Sequence, residues 1–314
     1  MAGMYRTMLR CGRYVAKQDP RQSRVDVARA PPLMITGDKL ANVPNREFSV
    51  FIAESATIES LRALGLEGIT KAIESRKFFL TPKELVRIVS GLCRLNVIYN
   101  NGLVALLGSC LCDERLHQLL AHELAFIAVE VTACARRIGL DQGSEKRLAA
   151  RSLVSVLGNE FSKKINAAST VDLSHMTTAV ADFGIVDVDL MTRISQCATI
   201  QVSLFKGPEL ADLVLGFALL GFKSDEFLHV AIPRLMNRMP LLDDIQLLQL
   251  GFTVCKLSAS RDSGFIKRYI EVLTDGTRKF SNIPREVIED FELSITALEI
   301  EKAALPSSLR VSPS

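Results

Sequence analysis

Apolar side chains in the central two thirds of this chain recur at intervals of three and four, the spacing that gathers them on one face of an α-helix. Counting from Leu85, Ile88, Leu92 and Leu95 stand at +3, +7 and +10, with Gly91 at +6. From Leu173 the same offsets hold Met176, Val180 and Phe183, with Ala179 at +6. From Leu210 they hold Leu213, Phe217 and Leu220, with Gly216 at +6; from Ile245, Leu248, Phe252 and Cys255, with Gly251 at +6. Leu124, Ile127, Val131 and Cys134 fit as well, with Glu130 in place of the small residue. A small residue beside an apolar stripe lets another helix approach closely.

The five origins lie 39, 49, 37 and 35 residues apart, and the longest step holds a polar insertion around Gly139–Lys146. Each interval has room for a second apolar helix, at 101–112, 148–165, 187–204, 225–239 and 262–273. Helix pairs of this length stack on one another, each burying a face that it cannot bury alone. Start signals agree with the spacing. Thr81-Pro82-Lys83-Glu84 supplies an N-cap, a first-turn proline and a capping-box acid. Gly207-Pro208-Glu209 and Ser224-Asp225-Glu226 open later helices, and Pro233 is expected to kink the helix that holds it. No segment alternates in the manner of a strand. The fold class expected is all-α.

One stretch, KGPELADLVLGFALLGF at 206–222, superficially resembles a phosphate-binding loop, since four residues separate Gly216 from Gly221 and Lys223-Ser224 follow. Such a loop needs its lysine directly after the second glycine and a strand before the first. Here Phe222 intervenes and the pattern is helical. Both glycines are read as packing positions at +6 and +11.

At the level of these motifs the chain resembles the octotricopeptide and heptatricopeptide class of organellar helical-pair repeats. LADLVLGFALLGF and LSHMTTAVADFGI match that class's first helix, with Gly221 and Gly184 at +11; LVRIVSGLCRLN carries Asn96 there, and the Leu124 unit departs from the pattern. The resemblance covers roughly residues 80–275. It implies a right-handed α-solenoid of about five stacked antiparallel helix pairs, residence in an organelle, and work in RNA processing, editing, stability or ribosome assembly. Many members of the class end in a RAP domain; here 276–314 reads instead as an acidic helix followed by a Ser/Pro tail. The domain reading is 1–34 presequence and linker, 35–79 helical cap, 80–275 repeats and 276–314 C-terminal helix and tail.

Composition sharpens this picture. The chain is 48% hydrophobic, with 6% aromatic residues, no tryptophan and a mean hydropathy of +0.22. Its longest apolar run, 213–222, is about half of the ~20 residues a membrane span needs, so the surplus belongs to a protein core. The first seventeen residues hold no acid, and Arg6, Arg10, Arg13 and Lys17 share one helical face. That is the pattern of a mitochondrial presequence, and the mitochondrial matrix is the expected location. Without residues 1–34, 31 basic residues face 33 acidic ones, so any phosphate-binding surface must be local. Seven scattered cysteines, with no CxxC pair, read as buried reduced thiols.

The candidate RNA-binding residues lie in 136–164, where Arg136, Arg137, Lys146, Arg147, Arg151, Lys163 and Lys164 outnumber Asp141, Glu145 and Glu160. Arg87 and Arg94, opposite the apolar stripe of their helix, extend the set. The outward positions +2, +5 and +9 are polar in early units and turn apolar later. Leu215, Leu219, Leu247, Leu250 and Val254 are therefore candidates for a protein interface, unless other helices cover them. Nothing in the sequence carries catalysis. His117 and His122 are misaligned for one metal ion, Cys110 and Cys112 point apart on a helix, and Ser174-His175 has no nucleophile turn. The expectation is a non-enzymatic subunit of a mitochondrial ribonucleoprotein assembly, without cofactor, metal or small-molecule substrate. A scaffold that binds protein alone is the alternative.

Overall fold

The computed structural model describes residues 42–56, 59, 65–100, 102–111, 113–141, 143–257, 263–276, 278, 280, 283–300, 305–306 and 309. The presequence reading of 1–34 falls outside them. Among the described residues there is no strand, and fourteen α-helices succeed one another. They are α1 (Asn45–Val50), α2 (Leu66–Arg76), α3 (Pro82–Arg94), α4 (Leu103–Cys110), α5 (Asp113–Leu116), α6 (Ala121–Arg137) and α7 (Glu145–Lys163). Then follow α8 (Thr170–Asp182), α9 (Val188–Gln201), α10 (Gly207–Leu220), α11 (Asp225–Arg238), α12 (Asp244–Leu257), α13 (Ser263–Leu273) and α14 (Arg285–Ala297). All five first helices and all five second helices read from the periodicity are present: α3, α6, α8, α10 and α12, and α4, α7, α9, α11 and α13.

Local chemistry sets the helix ends. Thr81 and Glu84 form a reciprocal capping box, the Thr81 N–H donating to Glu84 Oε2 at 2.8 Å and the Glu84 N–H to Thr81 Oγ1 at 3.4 Å. Ser169 and Asp172 repeat the arrangement at the start of α8. At α10 the N-cap is Lys206 rather than Gly207, and its N–H donates to Glu209. α11 runs on through Pro233.

Helix exits explain the +11 position. Asn96, Gly184 and Gly221 all adopt left-handed backbone, with φ of 57°, 61° and 66°. The next residue's N–H reaches back each time: Val97 to Leu92 O at 3.0 Å, Ile185 to Val180 O at 2.9 Å, Phe222 to Phe217 O at 3.0 Å. This is the Schellman closure, which favours glycine or asparagine. Gly221 is therefore not inside a helix; it ends one. The Leu124 unit departs from the pattern because its first helix is a turn longer. Its left-handed residue is Gly139, and Leu140 donates to Ala135 O.

The chain divides into two compact units, at Phe161–Ser162 near the end of α7. This division falls inside the span read from sequence as one array. In the unit beginning at Ser162, α10 packs on α8, α12 on α10 and α14 on α12, while α11 packs on α9 and α13 on α11. Gly216 is in contact with α8: a Cβ there would lie 2.5 Å from Thr177 Cγ2. Polar bonds follow the same order. Thr170 donates to Glu209 at 2.9 Å and Gln246 to Asp212 at 2.9 Å. Arg193 donates to Ser162 O and Arg234 to Ser203 O, each across 31 residues.

In the unit ending at Phe161, α3 packs against α1, the π-helical turn Phe51–Ser55, α4 and α6. A Cβ on Gly91 would meet Ile52 O at 2.2 Å, so only glycine admits that turn. Buried Tyr99 donates to Val131 O at 2.8 Å, fastening the loop after α3 to α6.

Candidate nucleic-acid interface

The basic segment is built by three successive pieces: the last turn of α6, a polar loop, and α7. Helical geometry distributes its cations around both cylinders, and the structure separates them into struts and surface groups. Arg137 is a strut. Its Nε donates to Asn96 Oδ1 at 3.0 Å and its Nη2 to Cys93 O at 2.8 Å, which satisfies acceptors at the C-terminal end of α3. Arg94 is another, donating to Ala56 O at 3.1 Å, and both arginines remain exposed. Arg147 is only 7% exposed, which corrects its assignment to an RNA-facing surface. Amphipathic drift explains this: α7 buries Ala150, Leu153, Val154 and Leu157, and Arg147 lies on the same face.

Arg87, Lys146, Arg151 and Lys163 are exposed, and Arg136 and Lys164 are half-buried. Arg136, Arg147, Arg151, Lys163 and Lys164 each also interact within the chain. Lys163 and Lys164 belong to the unit beginning at Ser162, the other candidates to the unit ending at Phe161. Among the acids, Glu160 is buried and paired with His117 at 2.9 Å, so it does not oppose the exposed cations. What remains is a set of exposed cations, Arg87 on α3 and Lys146, Arg151 and Lys163 on α7, the residue type that makes phosphate contacts.

The apolar stripe has a different fate. Leu247, Leu250 and Val254 are 0%, 2% and 0% exposed, so they are core residues and not an interface. α12 is packed on both sides, by α10 and α14, and the predicted outward face is covered from within the chain. Leu215 and Leu219 are half-buried. Leu215 borders a shallow surface depression between α10 and α12, with Asp212, Gln246, Gln249 and Thr253. Its one titratable group, Asp212, accepts from Gln246, and the depression encloses no volume for a ligand.

His122 and His229 are exposed, and His175 is half-buried. Burial holds His175 below the usual imidazole value, against the pull of Asp172 and Glu209. Among the described residues no three His, Cys, Asp or Glu side chains gather to hold a metal ion. The five described cysteines are free thiols; Cys93, Cys110 and Cys134 are buried. Cys93 faces Cys134 across α3 and α6, and burial raises its thiol. Cys11 and Cys112 lie outside the described residues.

Sequence reasoning missed one surface. Phe78 and Phe79, in the turn between α2 and α3, are each 75% exposed. Consecutive phenylalanines two residues before the Thr81 cap, on no helical stripe, were the available signal. Compared with known families and with curated proteins, the chain matches no family model and no individual protein. Among the described residues, no helix is long and apolar enough to cross a membrane.

Proposed function

We propose that this protein is a non-enzymatic helical-repeat subunit of a ribonucleoprotein assembly in the mitochondrial matrix, acting in RNA processing, editing or ribosome assembly. Its repeats are read as a right-handed α-solenoid of about five antiparallel helix pairs, whose task is to present surfaces rather than to react. The observation that carries this reading is the packing order. In the unit beginning at Ser162, first helix follows first helix from α8 to α14 and second follows second from α9 to α13, with side-chain bonds about one repeat apart in sequence. Such order gives a stiff support on which contacts are held at fixed spacing. The basic, acid-free first seventeen residues support the location, and the exposed cations Arg87, Lys146 and Arg151 support contact with RNA backbone.

Crosslinking and affinity purification from isolated mitochondria, with and without RNase, tests it. The expected result is RNA crosslinked to the chain and a set of protein partners that depends in part on that RNA. Partners wholly insensitive to RNase, with no crosslinked RNA, would establish instead a scaffold that binds protein alone. The near-neutral body of the chain favours that second reading.

A further inference from the structure

We propose that the turn Lys77–Phe78–Phe79 is a stacking platform for bases of single-stranded RNA. This rests on the proposed contact with RNA and adds a second, chemically different element to it.

The turn is held far more firmly than an ordinary exposed loop. Arg76 ends α2 with its guanidinium buried, donating to Ala72 O at 3.0 Å and to Val43 O at 3.1 Å, and it lies 5.0 Å over the Phe48 ring. The N–H groups of Phe79 and Leu80 both donate to Arg76 O, at 2.8 and 3.0 Å. Arg115, from α5, donates to Lys77 O, and Asn45, at the start of α1, donates to Phe79 O at 3.1 Å. Leu80 is buried, and Thr81 begins the capping box of α3. Backbone acceptors on both sides of Phe78 are thus tied to other elements, yet the two rings point into solvent.

Leaving two phenylalanines in water forgoes one of the larger stabilising contributions open to a side chain, so a fixed turn that does so is built for contact. The surrounding charge selects the occupant. Around the turn Lys77, Lys83 and Arg87 reach the surface, against Glu74 and against Glu84, whose carboxylate accepts from the Thr81 N–H. The Lys77 ammonium sits 4.9 Å over the Phe78 ring, and Lys83 and Arg87 are exposed on the first two turns of α3. Open aromatic faces interleaved with cations fit a single-stranded polynucleotide: bases stack on rings and phosphates meet the cations. Stacking needs no sequence preference, because every base has a π-face.

The chain contains no tryptophan, which makes the test direct. Phe78→Trp in the full-length protein installs its only indole. Oligouridine and oligoadenosine of about a dozen nucleotides should quench that emission, and a duplex of the same length should not. Phe78→Ala/Phe79→Ala should weaken single-strand binding roughly 10- to 100-fold at fixed salt, with unchanged circular dichroism. Duplex affinity, carried by cations, should change less than about twofold. Normal single-strand affinity in the double-alanine variant, without quenching in the tryptophan variant, would overturn the platform and leave the proposed RNA contact standing. Absence of any RNA binding would overturn both. A blue-shifted emission on anionic lipid vesicles or with a protein fraction, without response to RNA, would overturn it in favour of that occupant.

Discussion

Gly216 and Thr177 show how a single missing carbon sets the distance between two helices. Alanine at 216 would gain about 1 kcal/mol of helix propensity, but its Cβ would lie 2.5 Å from Thr177 Cγ2. Thr177 cannot turn away, because it is fully buried and its hydroxyl donates to Leu173 O at 2.8 Å. Overpacking of this kind costs about 1–3 kcal/mol, so the overlap outweighs the propensity gain. Gly216→Ala should therefore lower stability in urea by roughly 1–2 kcal/mol. Adding Thr177→Ser, which removes the clashing methyl and keeps the hydroxyl, should recover most of it. A double-mutant cycle without coupling would show that the two residues do not set the helix spacing. The corrected leucines behave differently. Leu247→Ala should cost about 2–5 kcal/mol as a core cavity, where a surface leucine costs little. Equilibrium unfolding of the variant decides between the two.

At the scale of the element, α14 is the informative helix. It carries the acids that gave 276–314 its polar look, yet it packs on α12, where Ser294 meets Gly251 and Cys255, and it buries Phe291 and Asp290. Burial, reinforced by Glu289 and Glu286, raises the Asp290 carboxyl to about 6 from its ordinary 3.8. The folded state then retains a proton that the unfolded chain has already released. Stability is highest below pH 4 as far as this group is concerned, and it declines as pH rises from there through about 6. Asp290→Asn should stabilise the protein at pH 7 by about 1–2 kcal/mol and leave it unchanged near pH 3.5. Urea midpoints at the two pH values measure this, and an equal effect at both would assign the change to packing. The element scale is also where the sequence was most legible. Residues at +3, +7 and +10 became buried in α3, α8 and α10 because periodicity and burial are one fact seen twice. The start of α3 was legible because its capping box is written locally at Thr81 and Glu84. The extra turn of α6 was not, since its ending is set by Gly139 beyond the expected frame.

For the molecule as a whole, the proposed RNA contact depends on cations that remain exposed after folding. Changing Arg87, Lys146 and Arg151 together to glutamate should weaken RNA binding without unfolding the protein, since all three are exposed. The slope of log affinity against log salt should fall by about one for each phosphate contact removed. Titration of labelled RNA at several salt concentrations gives that slope, and an unchanged value would remove α3 and α7 from the interface. Arg147→Glu is the contrasting variant: it should unfold or destabilise the chain, because it places a charge of opposite sign in a buried position.

The sequence by itself determined the helices, their order, most of their ends and the small residues between them. Those features depend on interactions within about a dozen residues: a stripe on one cylinder, a cap three positions away, a glycine at the exit. Only the tertiary structure decided which outward faces stay outward. Leu247, Leu250 and Val254 are inside because α12 is enclosed by neighbours from its own chain, Arg147 is buried, and Arg137 bonds the end of α3 from an exposed position. Exposure is a property of what lies opposite a residue, and residues opposite one another here are often 30 to 45 positions apart. For the same reason Phe78 and Phe79 stood out only as the exposed aromatic side chains among the described residues.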